Sequence, residues 1–459
     1  MSTTVVASRL KRVLLLLTTA SLGCGGGPKS AFPPSSQLAQ ICNTVDAQRR
    51  WVRSYMDEVY LWYSDVPAVD ASHFDTPESY FNALLVRKPT ASGKPRDQFS
   101  FTYPADAFDN LINAGVEASY GIEWKIVPYT RIIRVAYVEP GSPAALANVM
   151  RGATILSVNG NDVNTMPVNP LVDALYPSDI GVQTTFRFSE VNPPAVRDVV
   201  LTSANVTKSP VPTTSVLDTA SGKTGYLVFN DHLATAEDPL VQAVERFKAA
   251  DINSLVLDMR YNGGGYLYIA DELAAMIGGD RVAGKIFEKL QYNDKRTAET
   301  NRSVIHFSTT TEDDQRTLPK LGLSRLYVLT DSGTCSASES VINGLSPFVD
   351  VVLVGNTTCG KPYGFLGKEN CGTAYFPIEF QGTNAAGFGD YADGFAPTCR
   401  ATDDLEHERG DTNEAMLAAA LAHQATGTCP GTRQTTSAPP LDGAQLFRSP
   451  ARENRFLTE

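Results

Sequence analysis

Three turns in the second half of the chain carry residues that could catalyse a reaction. Residues 331–339 read Asp-Ser-Gly-Thr-Cys-Ser-Ala-Ser-Glu and place the hydroxyls of Ser336 and Ser338 where a strand gives way to a helix. Residues 355–362 follow another apolar strand and contain Lys361. A lysine that burial keeps neutral near pH 7 can act as general base for a serine, and no histidine is then required. The two turns favour a Ser–Lys nucleophile, and spacing alone does not choose between the two serines.

A third turn could stabilise negative charge that develops during such a reaction. Residues 258–265 read Asp-Met-Arg-Tyr-Asn-Gly-Gly-Gly and directly follow a buried-type strand. Glycines let backbone N–H groups approach a substrate oxygen and form an oxyanion hole. Each turn also has a purely structural explanation. The glycines suit a tight turn, and a serine followed three residues later by Glu339 suits a helix cap.

Two other chemistries fit these residues poorly. Residues 355–361 spell Gly-x-x-x-x-Gly-Lys, the pattern of a phosphate-binding loop. That loop needs Ser or Thr after the lysine, whereas Pro362 has neither a hydroxyl nor an N–H to donate. Cys335 could compete with the serines as a nucleophile, but no histidine lies near it in sequence to activate it. We therefore expect neither nucleotide hydrolysis nor a cysteine nucleophile.

The elements that position the three turns belong to an α/β region. Strand-like and helix-like segments alternate from about residue 225: strands at 226–229, 254–258, 326–330 and 351–354, and helices near 239–250, 268–277, 338–345 and 413–424. In open α/β sheets ligands bind beyond the carboxyl ends of the strands, which is where the three turns fall. We assign residues 209–429 to this core.

The preceding chain predicts two further domains. Residues 41–113 are mainly helical in pattern, because large apolar residues recur at three- and four-residue spacing between Trp51 and Tyr63. Core packing is the ordinary explanation for these aromatic residues. Residues 114–208 carry short alternating segments broken by Gly and Pro, which indicates a small β-rich domain. The predicted fold class is a multidomain α/β chain, α+β overall.

The two ends of the chain are expected to lie outside these domains. Residues 1–23 have a basic start and a short apolar stretch, as in an export signal, and that stretch is too short to span a bilayer. The segment ending at Cys24 resembles a bacterial lipoprotein signal, although Ser21 stands where Leu is usual; an ordinary cleaved signal is the alternative. Residues 24–40 would then be a tether. Residues 430–459 are polar and are predicted to be a disordered tail.

The cysteines and the net charge limit which cellular compartment and which binding partners are expected. Six cysteines besides Cys24 suit an oxidising compartment and allow 15 pairings, of which we expect Cys359 with Cys371, beside the lysine turn. No Cys-x-x-Cys is present and the five histidines are scattered, so no metal or cofactor is predicted. A net charge of −11 argues against nucleic acid and anionic lipid surfaces as partners. We expect membrane contact only through the lipid anchor.

The three turns, in this order and spacing, resemble the tail-specific, or C-terminal-processing, serine peptidase family. The family's Asp-Leu-Arg-x-Asn-Gly-Gly-Gly is similar to residues 258–265, its Ser-Ala-Ser-Ala-Ser-Glu to residues 334–339, and its Thr-Phe-Gly-Lys to residues 358–361. The resemblance extends over about residues 41–425. It implies a helical domain, a PDZ-like β-rich domain and an α/β catalytic core.

The resemblance assigns a role to each matching residue. It implies that Ser336 attacks the peptide carbonyl and that Lys361 accepts its proton and returns it to the leaving amine. The further residues that it assigns are Gly263, Gly264 and Ala337, whose N–H groups would form the oxyanion hole, and Glu339 and Thr358, which would support the site. The family commonly has a Gln four residues after the lysine, where this chain has Phe365.

The β-rich domain resembles a PDZ domain in two segments, residues 138–144 and 155–160. PDZ domains add a peptide's C-terminal strand to a sheet edge and hold its carboxylate with loop amides. The resemblance points to Tyr120, Gly121 and Ile122 as the carboxylate loop. Residues 152–154 read Gly-Ala-Thr where the family usually has Gly-Asp.

The sequence therefore predicts an exported serine endopeptidase that acts on proteins or peptides selected by their C-terminal tails, through a Ser–Lys dyad and an acyl-enzyme. Its expected location is the periplasmic face of the bacterial envelope, and Gly25 after the lipidated cysteine favours the outer membrane. Two alternatives remain open. One is a catalytically silent peptide-binding protein on the same scaffold, and the other is hydrolysis of a different acyl substrate such as a peptidoglycan cross-link.

Overall fold

A computed structural model describes residues 31–431, apart from residues 91, 128–129 and 192, together with residues 445–447 and 455–457. The predicted signal peptide and Cys24 lie outside these described residues, as does most of the predicted tail. Within the described ranges, no helix has both the length and the apolar character needed to cross a bilayer.

Helices dominate the first part of the chain. They are α1 (Ser35–Leu38), α2 (Val45–Val59), α3 (Pro77–Leu84) and α4 (Ala105–Ala114), with strand β1 (Phe101–Pro104) before α4. Helix α2 begins at Thr44, whose hydroxyl accepts a hydrogen bond from the N–H of Ala47 (3.1 Å). Helix α4 ends at Gly115, which adopts a left-handed conformation (φ 65°).

Short strands make up most of the middle part. The elements are β2 (Val116–Ser119), β3 (Ile122–Val127), β4 (Ile132–Val138), α5 (Pro143–Leu146), β5 (Thr154–Val158), β6 (Asn161–Asp162), α6 (Val168–Leu175), β7 (Gln183–Val191), β8 (Pro194–Thr202) and β9 (Ala204–Thr207). Alternation of polar and large apolar residues along the middle of β7 buries Phe186 and Phe188 against Trp124 of β3. This packing gives the middle domain a hydrophobic core of its own.

Strands and helices alternate in the last part. They are β10 (Thr213–Thr219), β11 (Gly222–Val228), α7 (Glu237–Ala249), β12 (Ser254–Asp258), β13 (Gly264–Tyr266), α8 (Leu267–Gly278), β14 (Ile286–Tyr292), α9 (Thr297–Arg302), β15 (Val304–His306), β16 (Arg325–Thr330), α10 (Ala337–Leu345), β17 (Asp350–Gly355), β18 (Tyr363–Gly364), β19 (Lys368–Asn370), β20 (Thr373–Phe376), β21 (Phe380–Thr383), β22 (Cys399–Arg400), α11 (Ala415–Thr426), β23 (Gln445–Phe447) and β24 (Arg455–Leu457).

The central sheet of this last part has the strand order β10-β11-β12-β16-β17-β22. Only the β10–β11 pair is antiparallel, so β11, β12, β16, β17 and β22 all point the same way. Leu255 and Leu257 of β12 pack with α7, α8 and α10, whereas Val256 packs on the opposite face with Met416 of α11. The sheet is therefore the middle of three layers, and the turns that follow β12, β16 and β17 meet at one edge.

The middle domain presents a sheet with the order β23-β3-β4-β5-β7-β8, and β6 pairs with β5. Its outer strand β23 comes from the far end of the chain and runs antiparallel to β3, with Phe447 opposite Trp124. Strand β24 pairs in parallel with β13, next to the glycine turn. Both C-terminal strands thus pair with earlier parts of the chain: β23 extends the sheet of the middle domain, and β24 forms a two-stranded sheet with β13.

The N-terminal helices and the α/β core share one hydrophobic cluster. Strand β1 forms a three-stranded sheet with β20 and β19 of the core. Trp51 of α2 and Phe81 of α3 pack against Tyr375, and the same cluster contains Phe365, four residues after Lys361. The packing of the N-terminal helices therefore reaches the lysine turn.

Candidate active site

The glycine turn that follows β12 lies against the serine turn that follows β16. The carbonyl of Asn262 accepts hydrogen bonds from the N–H of Cys335 (3.0 Å) and from the hydroxyl of Ser338 (3.0 Å). Parallel neighbouring strands bring these turns to the same edge, and the two hydrogen bonds fix their separation. The predicted oxyanion-hole segment is thereby next to the predicted nucleophile.

Ser336 and Ser338 occupy different environments. Ser336 precedes α10 with φ 60° and ψ −119°, a conformation that few residues other than glycine adopt. Its Oγ is buried, and no hydrogen-bond partner for it lies among the described residues. Because the Ser338 hydroxyl already donates to Asn262, Ser336 is the serine whose oxygen is available for attack. Backbone strain of this kind is common where a residue is held for chemistry.

The backbone N–H groups of the predicted oxyanion hole divide into two kinds. The N–H of Gly264 donates to Oδ1 of Asn262 (3.0 Å) and is therefore engaged within its own turn. For the N–H groups of Gly263 and Ala337, no acceptor is found in the part of the chain that the structure describes. Of the two glycines offered by the sequence, Gly263 is the one that can pair with Ala337 to bind an oxyanion.

The carboxylate of Glu339 joins the serine turn to the lysine turn. Its Oε2 accepts from the N–H of Ser336 (3.0 Å) and from the N–H of Lys361 (2.8 Å). Its Oε1 accepts from the Thr358 hydroxyl (2.6 Å) and from the N–H of Gly360 (2.9 Å). Burial raises the pKa of Glu339, and these donors oppose that shift. One side chain thus anchors the backbones of both predicted dyad residues, and Thr358 is one of its hydrogen-bond partners.

Lys361 is fully buried among aromatic rings. Its Nζ lies 4.2 Å from the ring centroid of Phe365 and 5.4 Å from that of Phe99. Phe365, the departure noted in the sequence, therefore packs directly on the amino group where the family has an amide.

The expected Cys359–Cys371 disulfide is wrong. Cys359 is bonded to Cys335, and Cys371 is bonded to Cys42 near the start of α2. The chain between residues 359 and 371 leaves the lysine turn and enters the β1-β20-β19 sheet, which carries Cys371 away to the N-terminal helices. The third disulfide joins Cys399 to Cys429.

Among the residues that the structure describes, two groups of side chains are close enough together to hold a metal ion: Cys399, His423 and Cys429, and Cys335, Glu339 and Cys359. All four of these cysteines are in disulfides. A disulfide sulfur is not the thiolate that zinc requires, so neither group is a zinc site in this state.

Two residues that support the glycine turn were not predicted from the sequence. Asn262 holds the turn through Oδ1, which also contacts Nδ1 of His232 (2.9 Å), and through Nδ2, which donates to the carbonyl of Phe229 (3.0 Å). Burial lowers the pKa of His232 to about 3, so the ring is neutral. Asn262 stands inside the matched motif and could have been found there, whereas His232 carries no local signal because it reaches the site only through the fold.

The predicted carboxylate loop lies at the start of β3 in the middle domain. Gly121 has φ 80°, and a Cβ at this position would lie 2.1 Å from that of Ser142, so only glycine fits. Tyr120 and Ile122 are buried, and the Tyr120 hydroxyl donates to Thr184 (2.8 Å). The loop is therefore rigidly placed at the end of the sheet edge that β23 occupies.

A buried charge network ties the middle domain to the serine turn. Lys125 of β3 forms ion pairs with Asp331 (2.7 Å) and Asp403 (2.7 Å). Burial alone would raise the pKa of Asp403, but Lys125, Arg151 and Arg260 hold it well below its usual range. Asp331 is the first residue after β16, so the middle domain contacts the turn that carries Ser336.

Comparison with known proteins agrees with this architecture. A profile of peptidase family S41 matches residues 223–364, and one of the peptidase S41 N-terminal domain matches residues 47–113. The chain is 27% identical over 244 residues to the chloroplastic carboxyl-terminal-processing peptidase 3 of Arabidopsis thaliana, which covers 51% of this chain and 43% of that protein. It is 26% identical over 262 residues to the carboxy-terminal processing protease CtpA of Bacillus subtilis (strain 168), covering 56% and 50% of the two chains.

Solved structures give the same result. An S41 protease structure from Bacteroides fragilis NCTC 9343 superposes with a TM-score of 0.63 at 26% identity, covering 82% of this chain and 97% of that one. The photosystem II D1 C-terminal processing protease shares the fold, with a TM-score of 0.52 at 19% identity over 83% and 99% of the two chains. The class that fold and site define is that of the serine-type peptidases. Within it, residues 47–113 and 223–364 match peptidase family S41, and the curated relatives named above are C-terminal processing peptidases. The chain spans about half the length of the curated relatives it matches.

Proposed function

We propose that this protein is a serine endopeptidase that cleaves peptide bonds through a Ser336–Lys361 dyad. The observation that carries the proposal is the shared Glu339 oxygen, which accepts from the backbone N–H of both residues and so keeps nucleophile and base side by side. The match to peptidase family S41 supports a peptidase in particular.

The proposed reaction follows from these positions. Ser336 Oγ attacks the substrate carbonyl while Lys361 Nζ takes the hydroxyl proton. The N–H groups of Gly263 and Ala337 hold the oxygen that becomes negative. When the C–N bond breaks, Lys361 returns the proton to the leaving amine, and an acyl group remains on Ser336. Water, deprotonated by Lys361, then attacks the ester. The bond to Ser336 Oγ breaks, Lys361 gives that proton to Oγ, and the acid is released.

The substrate class we propose is proteins or peptides recognised by their C-terminal tails. The middle domain has the arrangement that β-strand addition requires, with residues 120–122 at one end of β3 and an edge of β3 that accepts an antiparallel strand. Here that strand is the chain's own β23. A PDZ-type role for this domain would select substrates before the dyad cuts them.

Export and anchoring complete the proposal. Three disulfides are formed among the described residues, as expected for a protein that works in an oxidising compartment such as the periplasm. Lipidation of Cys24 would hold the protein at the membrane, with the outer membrane favoured. Incorporation of labelled palmitate by the wild type, and its loss in Cys24→Ser, would support the anchor; equal labelling of both would contradict it.

The function is tested by cleavage of unstructured protein substrates that differ in their C-termini. We expect the wild type to cut them, and Ser336→Ala and Lys361→Met each to lower the rate by more than about 10³-fold while circular dichroism stays unchanged. A fluorophosphonate, which acylates activated serines, should label Ser336.

Ser338→Ala is the matched control for the nucleophile. It removes one hydrogen bond to Asn262, so cleavage should fall but persist, and labelling should remain on Ser336. Cleavage by Ser336→Ala would show that Ser336 is not the nucleophile.

Two outcomes would favour the alternative functions. Binding of C-terminal peptides without cleavage by the wild type would establish the catalytically silent peptide-binding protein. Cleavage confined to cross-linked peptidoglycan peptides would establish the other acyl substrate.

A further inference from the structure

The disulfide Cys335–Cys359 joins the two turns that carry the proposed dyad. Cys335 directly precedes Ser336, and Cys359 lies two residues before Lys361. The bond therefore crosses from the carboxyl end of β16 to that of β17, at the point where the two turns face each other. Neither of the other disulfides touches these turns, since they join Cys42 to Cys371 and Cys399 to Cys429.

The hydrogen bonds around this disulfide show how closely it is integrated into the site. The N–H of Cys335 donates to the Asn262 carbonyl (3.0 Å), and the N–H of Cys359 donates to the Thr334 carbonyl (3.0 Å). The Sγ atom of Cys359 lies 3.3 Å from Oε2 of Glu339, the oxygen that receives the N–H groups of Ser336 and Lys361. The sulfur bridge thus packs directly on the carboxylate that aligns the dyad.

Loss of the bond would disturb this arrangement in two ways. Two non-bonded sulfur atoms lie farther apart than bonded ones, so the turns would separate. A thiol at Cys359 could also donate to Glu339 and compete with the N–H groups of Ser336 and Lys361. A displacement of about 1 Å between reacting groups can lower a rate about 10²-fold.

We propose that the Cys335–Cys359 disulfide is a positioning element of the active site, required for the alignment of Ser336 with Lys361 and not merely for stability. This inference rests on the proposed function. Reduction by a dithiol would transfer two electrons and two protons to the bond, give two thiols and convert the dithiol to its cyclic disulfide. Activity would be lost in that state and return on reoxidation.

The test compares two double variants of the full chain. Cys335→Ala/Cys359→Ala removes the bond between the turns, and Cys399→Ala/Cys429→Ala removes a bond outside them. The two disulfides span 24 and 30 residues, so the loss of chain-entropy stabilisation should be nearly equal. We expect similar falls in thermal midpoint for both variants.

The kinetics should separate the two variants. Cys335→Ala/Cys359→Ala should lose about 10²-fold in kcat and in the rate of fluorophosphonate acylation of Ser336, while its KM stays within about threefold of wild type. Cys399→Ala/Cys429→Ala should keep both rates. Equal rates in the two variants, or a loss that follows the thermal midpoint, would overturn the inference. A wild type that is neither acylated nor active would refute the proposed function instead.

A second measurement covers the case in which the first variant does not fold. Wild-type protein is treated with increasing dithiothreitol, and alkylation followed by mass spectrometry reports which disulfide is reduced. Activity should fall with the fraction of Cys335–Cys359 reduced and recover on reoxidation. Full activity with that bond reduced would overturn the inference.

Discussion

Glu288 on β14 is a buried carboxyl group with little hydrogen bonding. Its Oε1 receives only a long contact from the Ser340 hydroxyl (3.5 Å), and Oε2 has no partner among the described residues. Burial, aided by the charge of Asp271, raises its pKa to about 8. The folded protein therefore holds a proton on Glu288 at a pH at which the unfolded chain has released it.

This raised pKa makes stability fall as pH rises. Between the ordinary value of 4.5 and about 8, the folded state binds one more proton than the unfolded state, which costs about 1.4 kcal/mol per pH unit. Gln at position 288 does not titrate. The free energy of unfolding of Glu288→Gln relative to that of the wild type should therefore increase from pH 4.5 to about 8 and stay constant above that pH. Urea unfolding at pH 5 and pH 8 measures the difference.

Glu245→Gln, on the exposed face of α7, provides the control. It changes the same functional group in solvent and should alter stability by less than about 0.5 kcal/mol at either pH. A Glu288→Gln variant that behaves like Glu245→Gln would show that Glu288 is already ionised in the folded protein.

At the scale of single residues, the sequence predicts what is encoded within a motif. Ser336, Lys361 and Glu339 stand at fixed positions in matched segments, and the structure brings them together. The partner of Cys359 was not predictable, because it depends on which turns meet in space. The engagement of the Gly264 N–H by Asn262 was missed for a different reason, since it is local to one turn and depends on a side-chain rotamer.

At the scale of elements, periodicity predicts the α/β core well. The helix predicted near residues 268–277 is Leu267–Gly278, and the one near 413–424 is Ala415–Thr426. Long apolar segments with helical periodicity leave little choice of structure. In the first domain the apolar pattern continues to Tyr63 while α2 ends at Val59. Tyr60 is buried, and residues 61–63 are partly buried, by tertiary packing rather than by a helix face.

The glycine turn ends in β13, where Gly265 allows a close approach of two backbones. Gly265 has φ 142°, and a Cβ there would lie 2.3 Å from the carbonyl oxygen of His232. The backbone of His232 binds both sides of this residue, through the carbonyl of Gly264 (3.1 Å) and the N–H of Tyr266 (2.8 Å). An added methyl group at Gly265 must displace either this segment or the backbone of His232.

Gly265→Ala should therefore distort the oxyanion segment. We expect at least a tenfold loss of cleavage rate, because the N–H of Gly263 would leave its position, with little change in the binding of C-terminal peptides to the middle domain. Gly284→Ala is the control, since Gly284 also has positive φ (68°) but nothing lies within 4 Å of its added Cβ. Equal activity in both variants would contradict a role for this close approach.

At the scale of the whole molecule, the dyad is closed off from solvent. Ser336 and Lys361 are both 0% exposed, so a substrate reaches them only after some part of the structure moves. The middle domain is a candidate for that part, because its Lys125 is paired with Asp331 at the base of the serine turn. We propose that docking of this domain gates the site.

Lys125→Met tests the gate. Removing one member of a buried ion pair costs about 3–5 kcal/mol, so the domain should undock. We expect faster hydrogen exchange in residues 122–127 and faster fluorophosphonate labelling of Ser336. Arg187→Met breaks an exposed pair with Asp198 in the same domain (3.8 Å) and should cost less than about 1 kcal/mol. Unchanged exchange and labelling in Lys125→Met would exclude the gate.

The disulfide Cys42–Cys371 joins residues 329 positions apart in the chain. A single break of the backbone anywhere between them leaves two fragments that stay covalently attached. Such a nicked molecule migrates at full mass in a non-reducing gel and separates into two bands only after reduction. For a protein that is proposed to cut peptide bonds, damage inflicted by one copy on another would thus stay hidden unless samples are reduced.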